Sequence, residues 1–184
     1  LQARLSGVAD TSVTLRRAQF RAADNPAACA RVARQIVAGK IQNARNSLLR
    51  AARETEDETE RRRLAAVTDG MARQIQALAQ PADASLTVDA IRGAEGLASQ
   101  LYFSVFTLLL KQQRAVFAFG TRSRRPPRDR INCLLSFAYA LVRHDCVASL
   151  TSAGLDPFVG FLHADRPNRP SLALDLMEEF RPWL

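Results

Sequence analysis

One of only two histidines, His163, closes the apolar stretch GFLH, and a short helical pattern carrying Asp175, Glu178 and Glu179 begins soon after it, near Ser171. At about 100° per residue, Ser171 and the three acids fall on one arc of that helix, with Leu172, Ala173, Leu176, Met177 and Phe180 opposite. One reading is an amphipathic helix with a solvated acidic face. The other is a ligand set: no basic side chain stands within reach before Arg181 to relieve the repulsion, and a divalent cation would. A further carboxylate, Glu95, sits in DAIRGAEGLASQLYF on the helical side shared by Ile91, Ala98 and Tyr102, between Gly93 and Gly96. Each interior glycine costs roughly 1 kcal/mol relative to alanine, which a helix tolerates where a backbone or a ligand comes close. Plain helix packing, with Glu95 turned to solvent, is the alternative. Carboxylates with one imidazole suit a hard ion such as Mg²⁺ or Mn²⁺ better than a structural zinc, which usually recruits thiolates. Such an ion can activate an attacking oxygen and neutralise charge at phosphorus.

Arginines supply the complementary charge. TRSRRPPRDR packs Arg122, Arg124, Arg125, Arg128 and Arg130 together, stiffened by Pro126 and Pro127. Close like charges repel unless an anion binds, and nucleic-acid phosphates are the ordinary partner; a solvated basic loop is the other reading. The formal net charge is +8, and Lys40 and Lys111 are the only lysines among 26 basic residues. Arginine's planar fork matches phosphate oxygens. A GC-rich genome explains part of the arginine count but not its clustering.

The elements that would position these groups are helical. Asn25 and Pro26 start a helix whose stripe runs Cys29, Val32, Ala33, Ile36, Val37, Ala44 and Leu48, with Arg31, Arg34, Lys40, Arg45 and Arg50 on its other faces. ETEDETERRR opens a second, with Leu64, Val67, Met71, Ile75 and Leu78 in register, ended by Pro81 and the linker QPADAS. A third is expected from about Thr87 to about Phe117, and a fourth from an Asp129 cap through Leu150. FVGFLH reads as a short strand or loop, and His144 as a structural residue near a helix end. Residues 1–14 read as extended or linker. The expected class is therefore all-α, with one multi-helix domain over residues 15–184.

Bulk properties exclude other classes. The longest apolar run, LYFSVFTLLL, is too short to cross a bilayer, and no basic-then-apolar leader is visible. Cys29, Cys133 and Cys146 form no C-x-x-C pair, which suits buried free thiols in a reducing cytoplasm. A first residue other than Met suggests a fragment.

Several long stretches, in order and covering nearly the whole chain, resemble the CRISPR-associated spacer-acquisition integrase and endonuclease family: RRAQFRAA, GKIQNARNSLLR, IRGAEGLASQLYF, RRPPRDRINCLLSFAYAL, GLDPFVGFLH and RPSLALDLMEEFRP. In style they are most similar to the subtype I-C branch. The resemblance implies a divalent ion on Glu95, His163 and Glu178, with Asp175 as a supporting acid and Tyr139 near DNA. It implies an enzyme that joins 3′-hydroxyl ends of captured foreign DNA into the CRISPR array by transesterification, cuts branched DNA, and works as dimers bridged by a small ferredoxin-like partner. The family's N-terminal β-domain is largely absent here, residues 1–14 being its remnant or linker, and the family's helices continue past EEFRP. Cys133 and Ala138 stand where Ala and Gly are common. Weakened activity or dimerisation is the expectation. The rival expectations are a non-catalytic helical DNA-binding or assembly domain and an all-α scaffold needing neither DNA nor metal.

Overall fold

The computed structural model describes residues 13–79 and 87–184. Six α-helices carry it: α1 (Val13–Ala23), α2 (Pro26–Glu54), α3 (Glu58–Ala79), α4 (Val88–Ser104), α5 (Arg130–Ser152) and α6 (Ser171–Phe180), with 3₁₀ turns at Phe106–Leu109 and Arg181–Trp183. No strand occurs among the described residues, only an isolated bridge between Arg166 and Arg169. The all-α expectation holds. The proposed linker over 1–14 and the QPADAS linker lie almost wholly outside the described residues; Val13 and Thr14 already belong to α1.

Helix α2 is the central post, packed by α3, α4 and α6. The Asn25 side chain accepts from the Ala27 and Ala28 amides, and Pro26 takes the first helical position, where no amide is needed. Its inner face (Ala33, Val37, Ile41, Ala44, Leu48) meets Leu64, Met71 and Leu78 of α3 and Ile91, Ala98 and Tyr102 of α4 in one buried core. A second cluster joins Cys146 and Leu150 of α5 to Leu172, Ala173 and Met177 of α6. The first cluster fixes α4 on α2, and α6 packs on both α2 and α5.

Four expectations need correction. Lys40, assigned to the outer faces of α2, is buried on its inner face. The third helix stops at Ser104 rather than near Phe117. There the run loses its polar face, and Phe103 and Phe106 turn to pack with Phe119 instead. Of the three cysteines, Cys133 is exposed. His144 is an exposed residue of α5, which continues to Ser152. By length and composition α5 is apolar enough to cross a bilayer, yet it carries Arg143, His144 and Asp145 and packs on α6.

FVGFLH is a loop tied down from several sides. The buried Gln19 side chain of α1 donates to the carbonyls of Asp156 and Val159 at 2.8 and 3.0 Å and accepts from the Asp156 amide at 2.9 Å. Arg92 of α4 donates to the Leu162 carbonyl at 2.7 Å. Gly160 passes so close to α6 that a Cβ there would stand 2.8 Å from the Ser171 Cβ. Only a residue without a side chain fits.

Candidate metal and phosphate site

Asp175 organises the end of that loop. It is wholly buried; its Oδ2 accepts from the amides of Phe161 and Leu162 at 2.7 and 2.9 Å, and its Oδ1 from the His163 amide at 2.9 Å. The same Oδ1 lies 2.7 Å from His163 Nδ1. A proton on Nδ1 satisfies that contact and leaves the Nε2 lone pair free, as in histidines that bind a metal while a carboxylate holds their other nitrogen. Nε2 points toward Glu178, whose Oε1 is 3.8 Å away.

Glu178 is 3% exposed. Its Oε1 receives Arg181 Nη2 at 3.0 Å, and its buried Oε2 pairs with Lys40 Nζ at 2.6 Å. The same ammonium hydrogen-bonds Glu95 Oε1, which also accepts from Ser99 Oγ at 2.8 Å. Burial alone would push the Glu95 carboxyl upward; the charge and hydrogen bond of Lys40, helped by Ser99 and Arg181, hold it below its ordinary value.

Glu178 of α6 thus faces His163 of the loop on one side and shares the Lys40 ammonium with Glu95 of α4 on the other. As they stand, no three acidic, histidine or cysteine side chains among the described residues form a closed cage for an ion. The donor set nonetheless suits one in its chemistry: two carboxylates sharing a single ammonium, and an imidazole with its outer nitrogen free. The acidic arc of α6 is not a solvated face. Asp175 and Glu178 point inward, while Glu179 is half-buried against Gly39, away from the histidine.

A cavity of about 570 Å³ opens beside Glu95 and Lys40, lined also by Arg122, Arg124, Tyr139 and Arg181. The guanidiniums of Arg122 and Arg181 lie 5.4 and 5.1 Å from the Tyr139 ring centroid. Burial raises the Tyr139 hydroxyl pKa against the opposing pull of those two arginines, and burial lowers that of Arg122. Buried Asn132 accepts from Arg122 Nη1 at 2.7 Å and the Ser123 amide at 2.9 Å, and donates to the Thr121 carbonyl at 2.9 Å. The predicted arginines therefore divide. Arg122 and Arg124 reach the cavity; Arg125 is exposed, and Arg128 and Arg130 line a separate shallow surface with Phe117 and Leu134. Gly93 and Gly96 have nothing within 4 Å of an added Cβ, so no packed backbone accounts for them; Gly96 lines the cavity.

Sequence reasoning missed Lys40, Arg181 and Asn132. The available signal for Lys40 was its register: it falls between Val37, Ile41 and Ala44 on the stripe it was excluded from.

The helical core carries a buried acid–histidine cluster joined through Lys40, Glu95 and Arg181 to an arginine-lined cavity. The family model "CRISPR associated protein Cas1" matches residues 1–184, and the chain belongs to that family. It is 45% identical over 170 residues, 92% of this chain and 65% of the relative, to the CRISPR-associated endonuclease Cas1 of Leptospira interrogans. It is 48% identical over 180 residues, 98% of this chain and 51% of the relative, to CRISPR-associated endonuclease Cas1 1 of Chlorobaculum tepidum. Among solved structures, a Cas1 protein from Thermotoga maritima matches with a TM-score of 0.75 at 28% identity, over 94% of this chain and 50% of that one. A casposase bound to its integration product matches at 0.73 and 25% identity, over 92% and 47%. A partial Cas6-RT-Cas1–Cas2 complex matches at 0.74 and 29% identity, over 89% and 45%. The chain spans 65% and 51% of the length of these two curated relatives.

Proposed function

We propose that residues 15–184 are the catalytic helical domain of a divalent-metal-dependent DNA integrase and endonuclease of CRISPR adaptation. One observation carries this: Glu178 faces the His163 imidazole at 3.8 Å and shares the Lys40 ammonium with Glu95, while a buried aspartate orients the imidazole. These three would hold Mg²⁺ or Mn²⁺, which supplies positive charge to polarise a phosphate and its attacking oxygen. Asp175 keeps Nε2 of His163 aimed at the ion site. Arg122, Arg124 and Arg181 grip phosphates in the adjoining cavity, beside the Tyr139 ring. Arg125, Arg128 and Arg130 track the DNA backbone further out. In the transesterification, a 3′-hydroxyl oxygen of the captured DNA bonds to an array phosphorus as that phosphorus loses its existing 3′-oxygen. One phosphoester replaces another, so no ATP is needed.

The names of the relatives support nuclease activity, and the casposase neighbour supports integration. The Cas1–Cas2 complex supports a small partner protein, which the motif resemblance makes ferredoxin-like and bridging to homodimers. The style of the motifs favours the subtype I-C branch, and action on DNA beside free thiols favours the cytoplasm.

The test is Mn²⁺ titration, followed by electron paramagnetic resonance, of wild type and of Glu95→Ala, His163→Ala and Glu178→Ala. Each variant is expected to lose affinity by about a hundredfold or more, and branched-DNA cleavage with it. Four proteins that bind Mn²⁺ alike would refute the assignment.

A further inference from the structure

Lys40 is the one charged residue on the buried face of α2, and it ends between the two carboxylates assigned to the ion. Its side chain is 10% exposed, and that of Glu178 is 3% exposed. Nothing in the packing of α2 calls for an ammonium there, since Val37, Ile41 and Ala44 around it are apolar and fully enclosed. The demand comes from the acids. Two carboxylates brought this close in a protected place would repel each other, and a buried charge needs a partner. Lys40 supplies that partner in the ion-free protein.

The same geometry sets up a competition. A divalent cation shared by Glu95 and Glu178 must use the lone pairs that now face Nζ, and it would repel an ammonium beside it. Resting on the ligand assignment above, we propose that Lys40 is a built-in counter-ion. It holds Glu95 and Glu178 in place without metal, competes with the divalent cation for them, and is released when that cation binds. Its four-carbon stem is flexible, and Lys40 already lines the cavity shared with Arg122, Arg124 and Arg181. The freed charge therefore joins the phosphate-binding arginines. Loading the ion makes the cavity more attractive to a polyanion.

The chain provides its own control, because Lys111 is the other lysine and its side chain is 75% exposed. Wild type is treated with an amine-acylating reagent in chelator and in saturating Mn²⁺, and both lysines are followed by mass spectrometry. Lys40 is expected to react slowly in chelator and at least about tenfold faster with Mn²⁺ bound, while Lys111 reacts equally in both. In parallel, Lys40→Gln is expected to bind Mn²⁺ about tenfold more tightly than wild type, to melt at lower temperature in chelator, and to gain more from added Mn²⁺. Equal protection of Lys40 with Mn²⁺ demonstrably bound, or Lys40→Gln binding Mn²⁺ no more tightly, overturns the proposal. The labelling arm needs no variant to fold. Failure of the ligand assignment is read separately: there, wild type and Glu95→Ala bind Mn²⁺ alike. Failure of the counter-ion alone leaves Glu95→Ala defective and Lys40 labelling unmoved.

Discussion

The acid–histidine centre adjoins the cavity of the arginine loop through Glu95, Lys40 and Arg181, but the two are built on opposite terms. At the centre every functional group has assigned partners: Asp175 holds three amides and an imidazole, Glu95 holds Lys40 and Ser99, and Glu178 meets Lys40 and Arg181. In the loop, Arg122 is bound by Asn132, whereas Arg124, Arg125 and Arg128 lie exposed on a backbone braced mainly through Asn132 and Ser123. The ion proposed for the centre needs donors held close to their places, which the bracing of His163 by Asp175 suits. A phosphate backbone is a repeating charge, and a loosely held guanidinium can follow it. The burial of each region matches the precision its ligand demands.

Asp175→Ala should expose that difference most sharply. It strips three loop amides and an imidazole of one acceptor, so the expected loss is about 3 kcal/mol or more in urea unfolding. Mn²⁺ affinity should fall as well, because His163 loses its tautomer control. A variant of wild-type stability would mean that the loop holds itself.

Joint replacement of Arg124, Arg125 and Arg128 by Ala should do the reverse. Folding stability should change by less than about 0.5 kcal/mol per site, while the slope of log K against log salt for duplex DNA shrinks by up to about 0.9 per arginine. An unchanged slope would take the loop out of the DNA path. Because Arg124 alone of the three lines the cavity, its single substitution should also weaken binding of a short branched substrate more than Arg125→Ala does.

Gly160→Ala probes how tightly the loop is pressed on α6. The added Cβ meets both the side chain and the backbone of Ser171, with contacts of 2.8 and 2.9 Å, and the backbone cannot swing aside. An expected cost of about 1–3 kcal/mol follows, with His163 displaced and Mn²⁺ binding weakened. Unchanged Mn²⁺ affinity would show that the histidine is fixed by Asp175 alone.

How much of this was legible beforehand follows the same division. Helix starts at Asn25 and Asp129 were readable because capping is local chemistry, and the α3 stripe was readable because its period is clean. The end of α4 was not, since LYFSVFTLLL is apolar but for Ser104 and Thr107, and its Phe103 and Phe106 pack on Phe119, reached only through a loop. The direction of the α6 acids was ambiguous for a physical reason. A carboxylate arc faces water or a buried cation with the same spacing, and the loop amides and Lys40 that settle Asp175 and Glu178 inward come from other parts of the chain. The motif resemblance named Glu95, His163 and Glu178. It did not name Lys40, whose role exists only once α2, α4 and α6 are packed.

The smallest expected effect lies outside both regions, where the segment after α4 is strapped to α3. Arg114 binds Glu60 with both guanidinium nitrogens, and Thr55 Oγ1 donates to Glu60 Oε2 at 3.2 Å. The Arg114 hydrogen bond lowers the Glu60 pKa, outweighing its partial burial. A carboxyl depressed on folding stabilises at pH values above its unfolded value of about 4.3, and that contribution fades as pH falls through the lower folded value. The Arg114 side chain is 43% exposed, so solvent screens the pair and its worth is below about 1 kcal/mol. Glu60→Gln should therefore be slightly less stable than wild type at pH 7, and urea midpoints should draw together as pH drops from about 5 toward 3. The gap should also narrow in high salt. A gap that persists in acid would mean that Glu60 acts through packing rather than charge, and that even this exposed strap is assembled like the buried centre.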